Sequence, residues 1–198
     1  MAGQEISKEE SLSLKGYRHA CHIMLYADTD AKLFGKIPIK HIVLMQMRFD
    51  GLLGFPGGLV NPAEESLESG LSRELWEEMG VALNVAPEDH CSSCVAPSPP
   101  QLVTHFYTKK MKEEDVREVE KAAVTAPDHG LEVMGMVRVP LYCLRSGEGG
   151  FPAFLSHSFI SNSRSQLLSA LRALGLLSWA ALDAAVTQAD QIRQSTQQ

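Results

Sequence analysis

Gly51-Leu-Leu-Gly-Phe-Pro-Gly-Gly58 leads through Asn61-Pro62 into Glu64-Glu-Ser-Leu-Glu-Ser-Gly-Leu-Ser-Arg-Glu-Leu-Trp-Glu-Glu78, which Met79-Gly80 closes. Four glycines in eight residues let a backbone approach a ligand closely. The next stretch is the best-marked helix of the chain. Asn61 is placed as its N-cap, Pro62 as its first helical residue, Glu64 as the capping-box partner and Gly80 at its end. Leu67, Leu71, Leu75 and Met79 recur at helical spacing as its apolar stripe. Six glutamates stand against one arginine between Glu64 and Glu78, so the acidity of the chain is local. On a helix Glu74 and Glu78 stack one turn apart beside the stripe, with Glu77 to one side. Like charges at this spacing repel, and a buried unpaired carboxylate would sooner take a proton. Hard cations with oxygen ligands, Mg²⁺ or Mn²⁺, make such an arrangement sensible. A charge run is ordinarily a solvated helix face; the glycine lead-in and the Arg73–Gly80 pattern argue against that here.

The rest of the composition sets bounds. With 44% hydrophobic and 21% charged residues the chain is an ordinary folded domain, which excludes disorder and collagen-like repeats. A net charge of −6 argues against coating DNA, so nucleic-acid contact would need a local basic patch. Cys21, Cys91, Cys94 and Cys143 are too few and scattered for a disulfide framework, which favours a reducing, intracellular compartment. The opening residues do not resemble a signal peptide, and no apolar run reaches the ~20 residues that span a bilayer.

Along the chain, residues 1–16 are polar and read as a flexible segment, and 17–198 as one domain including C-terminal helices. Residues 19–26 and 41–48 read as buried strands joined by a loop over 28–40, which carries Gly35 and Pro38. Residues 81–100 read as loop with short strand content. Residues 102–108 and 131–139 read as strands, 112–124 as an amphipathic helix, 163–177 as a helix, and the chain beyond as a weaker Ala-rich helix. The alternation predicts a mixed α/β domain.

Gly58, Glu64/Glu65 and Arg73-Glu-Leu-Trp-Glu-Glu-Met-Gly-Val81 together resemble the Nudix box, the loop-helix-loop of hydrolases that act on nucleoside diphosphates linked to another moiety. The spacing from glycine to arginine is one residue longer than the family pattern, so either Glu64 or Glu65 takes the first glutamate's role. The resemblance implies an α/β/α sandwich with a mixed sheet. It extends through HACHIMLY, HIVLMQMRFDGLLGFPGG, THFY, DHGLEVMGMVRVPLY and GGFPAFL to one branch, vertebrate nuclear enzymes that decap small nucleolar RNA and hydrolyse inosine diphosphates. A similar paralogous branch has lost the metal glutamates and binds a DNA-repair factor; Glu74, Glu77 and Glu78 are kept here.

The resemblance implies residue roles. Glu74 and Glu78 are the main metal ligands with the Gly57 carbonyl, Arg73 orients Glu74, Glu77 is ligand or general base, and Glu132 is the distal acid that completes the site. Mg²⁺ or Mn²⁺ is the implied cofactor, with Co²⁺ also admitted. For the substrate it points to His22, Arg48, Phe55 and Gln166. The chemistry agrees in kind: an arginine grips phosphate, a phenyl ring stacks on a base, and an imidazole and an amide read its edge. Singly, each has a plainer reading: a strand histidine is more often a satisfied core residue, Phe55 beside Pro56 packs a loop, and a lone strand glutamate faces solvent.

Elsewhere, Cys91-x-x-Cys94 lacks a second ligand pair for zinc, His19 and His22 straddle a strand, and Lys109, Lys110 and Lys112 read as a solvated edge. The expected activity is cleavage of pyrophosphate linkages in capped RNA (snoRNA or mRNA) and in inosine and deoxyinosine diphosphates, by a homodimer that does not engage membranes. Its expected location is the nucleus, in nucleolus and nucleoplasm, with the cytoplasm also admitted. Two alternatives stand beside it: a Nudix hydrolase acting only on small nucleotides, and a non-catalytic RNA- or protein-binding module. Metal-dependent turnover separates the last from the first two.

Overall fold

The computed structural model describes residues 3–97 and 99–196. Among these described residues eight strands form one mixed sheet. β1 (Gln4–Ile6), β2 (Arg18–Leu33), β3 (Ile37–Arg48), β4 (Leu53–Gly54), β6 (His90–Val95) and β7 (Leu102–Lys110) lie in the order β1-β6-β7-β2-β3-β4. Strand β5 (Gly57–Val60) adds to β2, and β8 (Val133–Arg138) to β3. The central β2 runs parallel to β7 and antiparallel to β3 and β5.

Successive side chains of a strand face opposite sides, and β2 feeds two cores in this way. Cys21, Ile23 and Leu25 meet Leu67, Leu71, Leu75 and Met79 of α2 (Leu67–Met79) and Val116 and Val119 of α3 (Glu113–Ala123). Met24 and Tyr26 meet Leu155 of α4 (Phe151–Ser156), Leu167 and Leu171 of α5 (Ser163–Ala173), and Leu182, Ala185 and Ala189 of α6 (Trp179–Thr196). Helices thus cover both faces of the sheet, the α/β/α sandwich that the sequence leads one to expect.

Several boundaries differ from the sequence reading. The expected loop over 28–40 is mostly strand: β2 continues to Leu33 and β3 begins at Ile37, with a tight reversal at Phe34 (φ 52°) and Gly35 (φ 68°) between them. Pro38 is accommodated in the ladder opposite Lys32, beside a register shift between Thr29 and Lys32. Helix α2 starts five residues later than expected. The Ser66 hydroxyl accepts from the Ser69 N–H at 3.1 Å and is the N-cap, whereas Asn61 and Pro62 open a turn in which the Glu64 and Glu65 N–H groups donate to the Asn61 carbonyl. Gly80 ends the helix as expected, in the left-handed conformation. The polar opening residues carry β1, paired to β6, and a short helix α1 (Lys8–Ser13), whose Lys8 ion-pairs with Glu68. Helix α5 stops at Ala173, and α6, the weaker helix of the sequence reading, is the longest. Among the described residues no helix is long and apolar enough to cross a membrane, and all four cysteines are free.

Candidate active site

Helix α2 carries Arg73, Glu74, Glu77 and Glu78 and lies against β5 and β2. Burying the apolar stripe fixes the helix rotation, and that rotation takes Glu78 inside: it is 5% exposed. One of its oxygens, Oε2, accepts the Gly57 N–H at 2.7 Å, and the other, Oε1, accepts from the Gln46 amide nitrogen at 2.9 Å. Burial, only partly offset by these two donors, pushes its carboxyl up to about 7. Glu74 is likewise raised by burial, against the pull of Arg73, with Glu77 and Glu132 contributing repulsion.

Arg73 is the hub. Its Nη1 donates to Glu74 at 2.9 Å and to Glu77 at 3.2 Å, and its Nη2 to Glu65 at 3.0 Å and the Leu59 carbonyl at 3.2 Å. Its guanidinium is held charged chiefly by the Glu65 hydrogen bond. Of the two candidates for the first glutamate, the fold therefore brings Glu65 into the cluster and leaves Glu64 exposed outside it. The glycines are demanded by geometry. A Cβ at Gly57, which has φ 126°, would lie 2.1 Å from the Cys21 carbonyl oxygen, and one at Gly58 would lie 2.3 Å from Oε2 of Glu74.

Glu132 is exposed just before β8, and its charge is felt at Glu74. Its carbonyl accepts the Phe49 N–H at 3.0 Å, which ties its segment to the end of β3. His22, partly buried on β2 opposite Gly57, is lowered to about 4 by burial and by Arg48, so it is a neutral imidazole at physiological pH. Arg48 is held by Asp50, with Nη2 to Oδ2 at 3.0 Å, and acts electrostatically on both His22 and Glu78. These residues share one site.

Phe55 and Gln166 lie on the His22 face of the sheet, with Phe106, the register partner of His22, between them. Phe55 is 2% exposed and packs against Phe106, ring centroids 5.0 Å apart, inside the core. Its apolar area is already spent on packing, so it presents no open stacking face, and the plainer reading of loop packing describes it. Gln166, on α5, lines a cavity of about 430 Å³ with Asn162, Phe106 and Cys94; neither His22 nor Arg48 lines that cavity. The other candidates take their plainer readings: His19 and His22 point to opposite faces of β2, Lys109 pairs with Asp89, and Lys110 with Asp28.

Sequence reasoning missed Gln46, 1% exposed, whose buried carboxamide oxygen has no hydrogen-bond partner among the described residues. Its signal was one polar residue inside the apolar run of residues 42–47. Among the described residues no three His, Cys, Asp or Glu side chains converge closely enough to chelate an ion. The donor set nevertheless suits a hard divalent cation: Glu74 and Glu78 raised by burial, Arg73 shared among Glu65, Glu74 and Glu77, and, among the described residues, an unpartnered buried oxygen of Gln46 beside Glu78.

Residues 19–177 match the family model described as "Nudt16-like: U8 snoRNA-decapping enzyme-like". The chain belongs to this family. The U8 snoRNA-decapping enzyme of Xenopus laevis is 57% identical over 177 residues, covering 88% of this chain and 84% of that protein. That of Bos taurus is 55% identical over 182 residues, covering 89% and 93%. The Tudor-interacting repair regulator protein of Mus musculus is 48% identical over 175 residues, covering 88% and 82%. Among solved structures, the NUDIX domain of Shewanella oneidensis NrtR, complexed with ADP ribose, aligns with a TM-score of 0.52 at 18% identity, covering 85% of this chain and 99% of that one. That likeness establishes the Nudix fold for this Nudt16-like chain. It is a homologue of the U8 snoRNA-decapping enzymes, and it is also related to the Tudor-interacting repair regulator.

Proposed function

We propose that this Nudt16-like protein is a divalent-cation-dependent hydrolase that cleaves pyrophosphate linkages in the 5' cap of RNA and in inosine-type diphosphates. The observation that carries the reading is the intact carboxylate cluster, Glu74, Glu77 and the buried Glu78 organised by Arg73, on a chain 57% identical to a decapping enzyme. Glu74, Glu78 and the Gly57 carbonyl, with Glu77 and Glu132 near them, are the groups that would hold Mg²⁺, Mn²⁺ or Co²⁺. Such a cation, when bound, neutralises phosphate oxygens and acidifies a water. Arg73 keeps Glu74 and Glu77 oriented. Glu77, one-third exposed (33%) and, among the described residues, held through Arg73 alone, has the freedom to take a proton from the attacking water. Arg48 grips a phosphate, and the neutral His22 contributes a hydrogen bond, not a charge, to the base.

A site that offers hydrogen-bond donors rewards the oxygen of hypoxanthine or guanine over the amino group of adenine. The test is a cation-supplemented panel of capped RNA, inosine, guanosine and adenosine diphosphates, nucleotide sugars and dinucleotides, with products identified by mass. We expect inosine and guanosine diphosphates to exceed adenosine diphosphate by about tenfold or more in kcat/KM, and Glu78→Gln to abolish turnover while the protein stays folded. Turnover of small nucleotides without capped RNA would favour the small-nucleotide alternative. No turnover at all would favour a binding role, the reading to which the relationship with the Tudor-interacting repair regulator points. A homodimer and a nuclear location belong to the same reading, to be checked by sedimentation and by imaging of the tagged protein.

A further inference from the structure

The turn that follows β3 holds Phe49 out in solvent, 59% exposed. That position is imposed by the backbone. The Arg48 N–H donates to the Leu52 carbonyl at 3.0 Å and the Gly51 N–H to the Arg48 carbonyl at 3.0 Å, with Gly51 at φ 78°. The Leu52 N–H donates to Oδ1 of Asp50 at 3.1 Å, and the Phe49 N–H donates to the Glu132 carbonyl. Burying a phenyl ring is worth roughly 1.5–3 kcal/mol, and this turn leaves most of that unused, the ring lying beside the Arg48 guanidinium.

The neighbour of this ring is an arginine of the site. The Arg48 guanidinium lies 5.3 Å from the Phe49 ring centroid, its Nε and Nη2 are taken by Asp50, and among the described residues its Nη1 has no hydrogen-bond partner. The same guanidinium acts on both His22 and Glu78. Arg48 stands two residues after Gln46, which bonds Glu78, and the Phe49 N–H is tied to the Glu132 carbonyl, so an exposed aromatic ring and a free guanidinium N–H adjoin the carboxylate cluster, groups suited to the base and the phosphate of a nucleotide.

We propose that Phe49 and Arg48 form a second nucleoside subsite, in which Phe49 stacks the base and Arg48 Nη1 binds the phosphate of the nucleotide on the side of the bridge away from His22. The inference rests on the hydrolase reading and narrows it: the site is built for two nucleosides joined through phosphates. Stacking of a base on an aromatic ring is worth ~1–3 kcal/mol and tolerates any base, which suits a substrate whose second base varies. A free nucleoside diphosphate carries one base, is held at His22, and leaves Phe49 uncovered.

The test compares the unmodified protein with Phe49→Ala and Phe49→Trp on a capped dinucleotide and on inosine diphosphate, with a divalent cation present. Phe49→Ala should raise KM for the capped dinucleotide about tenfold, or ~1.4 kcal/mol, with kcat and the KM for inosine diphosphate changed less than about twofold. Phe49→Trp should restore the lost KM. An unchanged KM for the dinucleotide, or equal losses on both substrates, overturns the second subsite while the hydrolase reading stands. If the unmodified protein turns over neither substrate, that reading fails on its own. Equilibrium binding of the capped dinucleotide then decides the subsite: weakened binding by Phe49→Ala supports it, and equal binding overturns it. Because the ring is mostly exposed, matching melting temperatures are expected for the three proteins.

Discussion

Glu78 meets two opposing demands at the residue scale. It is inside because the α2 stripe is buried, and under the proposed function it would have to be ionised to hold a cation. The Gly57 and Gln46 donors favour the charged form, but burial outweighs them and lifts the carboxyl to about 7 from an ordinary 4.5. A carboxyl whose pKa is raised by folding takes its proton more readily in the native state, so its ionisation costs stability that is intact below pH 4.5 and lost as the pH rises to 7. In a chelating buffer the protein should lose about 3 kcal/mol of unfolding free energy between pH 4.5 and pH 8 through this one group. Glu78→Gln should remove that slope, because Gln46 can turn its amide so that the orphaned oxygen accepts from the new amide. Urea melts of both proteins at the two pH values check this. Parallel pH dependence would show that Glu78 stays charged and solvated in the free protein.

At the scale of elements, the start of α2 shows what determines a boundary. Asn61-Pro62 carries stronger helix-start chemistry than Ser66, yet β5 ends at Val60 and the chain needs a turn before the helix can lie back on the sheet. Asn61 therefore serves that turn, its side chain accepting the Ala63 N–H at 3.2 Å. Ser66→Ala should cost about 1 kcal/mol of stability, as the loss of an N-cap does, whereas Asn61→Ala should leave the helix content by circular dichroism unchanged. Equal losses in α2 helicity would restore Asn61 as the cap. Local chemistry predicted what it controls: the α2 stripe, the stop at Gly80, the apolar runs that lie in β2 and β3, and the Glu74–Glu78 pair. It failed where distant parts of the chain decide. The extension of β2 to Leu33 depends on its partner β3, and the strand at Gln4–Ile6 on β6. Phe55 is claimed by Phe106 and Gln46 by Glu78, each contact joining residues more than thirty positions apart. The choice of Glu65 over Glu64 was open in the sequence because only the observed turn decides which one reaches Arg73.

Across the whole molecule, a buried polar chain joins three strands on the α2 face. His19 of β2 shares a 2.9 Å hydrogen bond with His105 of β7, their rings stacked 5.2 Å apart; His105 meets the Ser93 hydroxyl of β6 at 2.8 Å, and His90 meets the same hydroxyl at 3.0 Å. Tyr107 packs edge-on against His90 and donates to Glu68, which pairs with Lys8 of α1, so the network ties the N-terminal segment to the sheet. His105 is wholly buried, and that burial, reinforced by the neighbouring histidines, holds its imidazole down to about 3. The sign is opposite to that of Glu78. A histidine kept neutral by folding is more readily protonated in the unfolded chain, so its contribution is complete above pH 6.5 and is lost as the pH falls toward 3. Between pH 6.5 and 4.5 this residue alone should withdraw about 2–3 kcal/mol. His105→Gln keeps a donor and an acceptor for Ser93 and His19 but has no proton to gain, so its urea midpoint should fall less on acidification. The comparison is best made with Glu78→Gln as the shared background in chelating buffer, where the opposing carboxyl is silent. Equal acid slopes with and without His105 would mean that the network opens to water before the imidazole titrates, and that the acid limb of stability belongs to other groups.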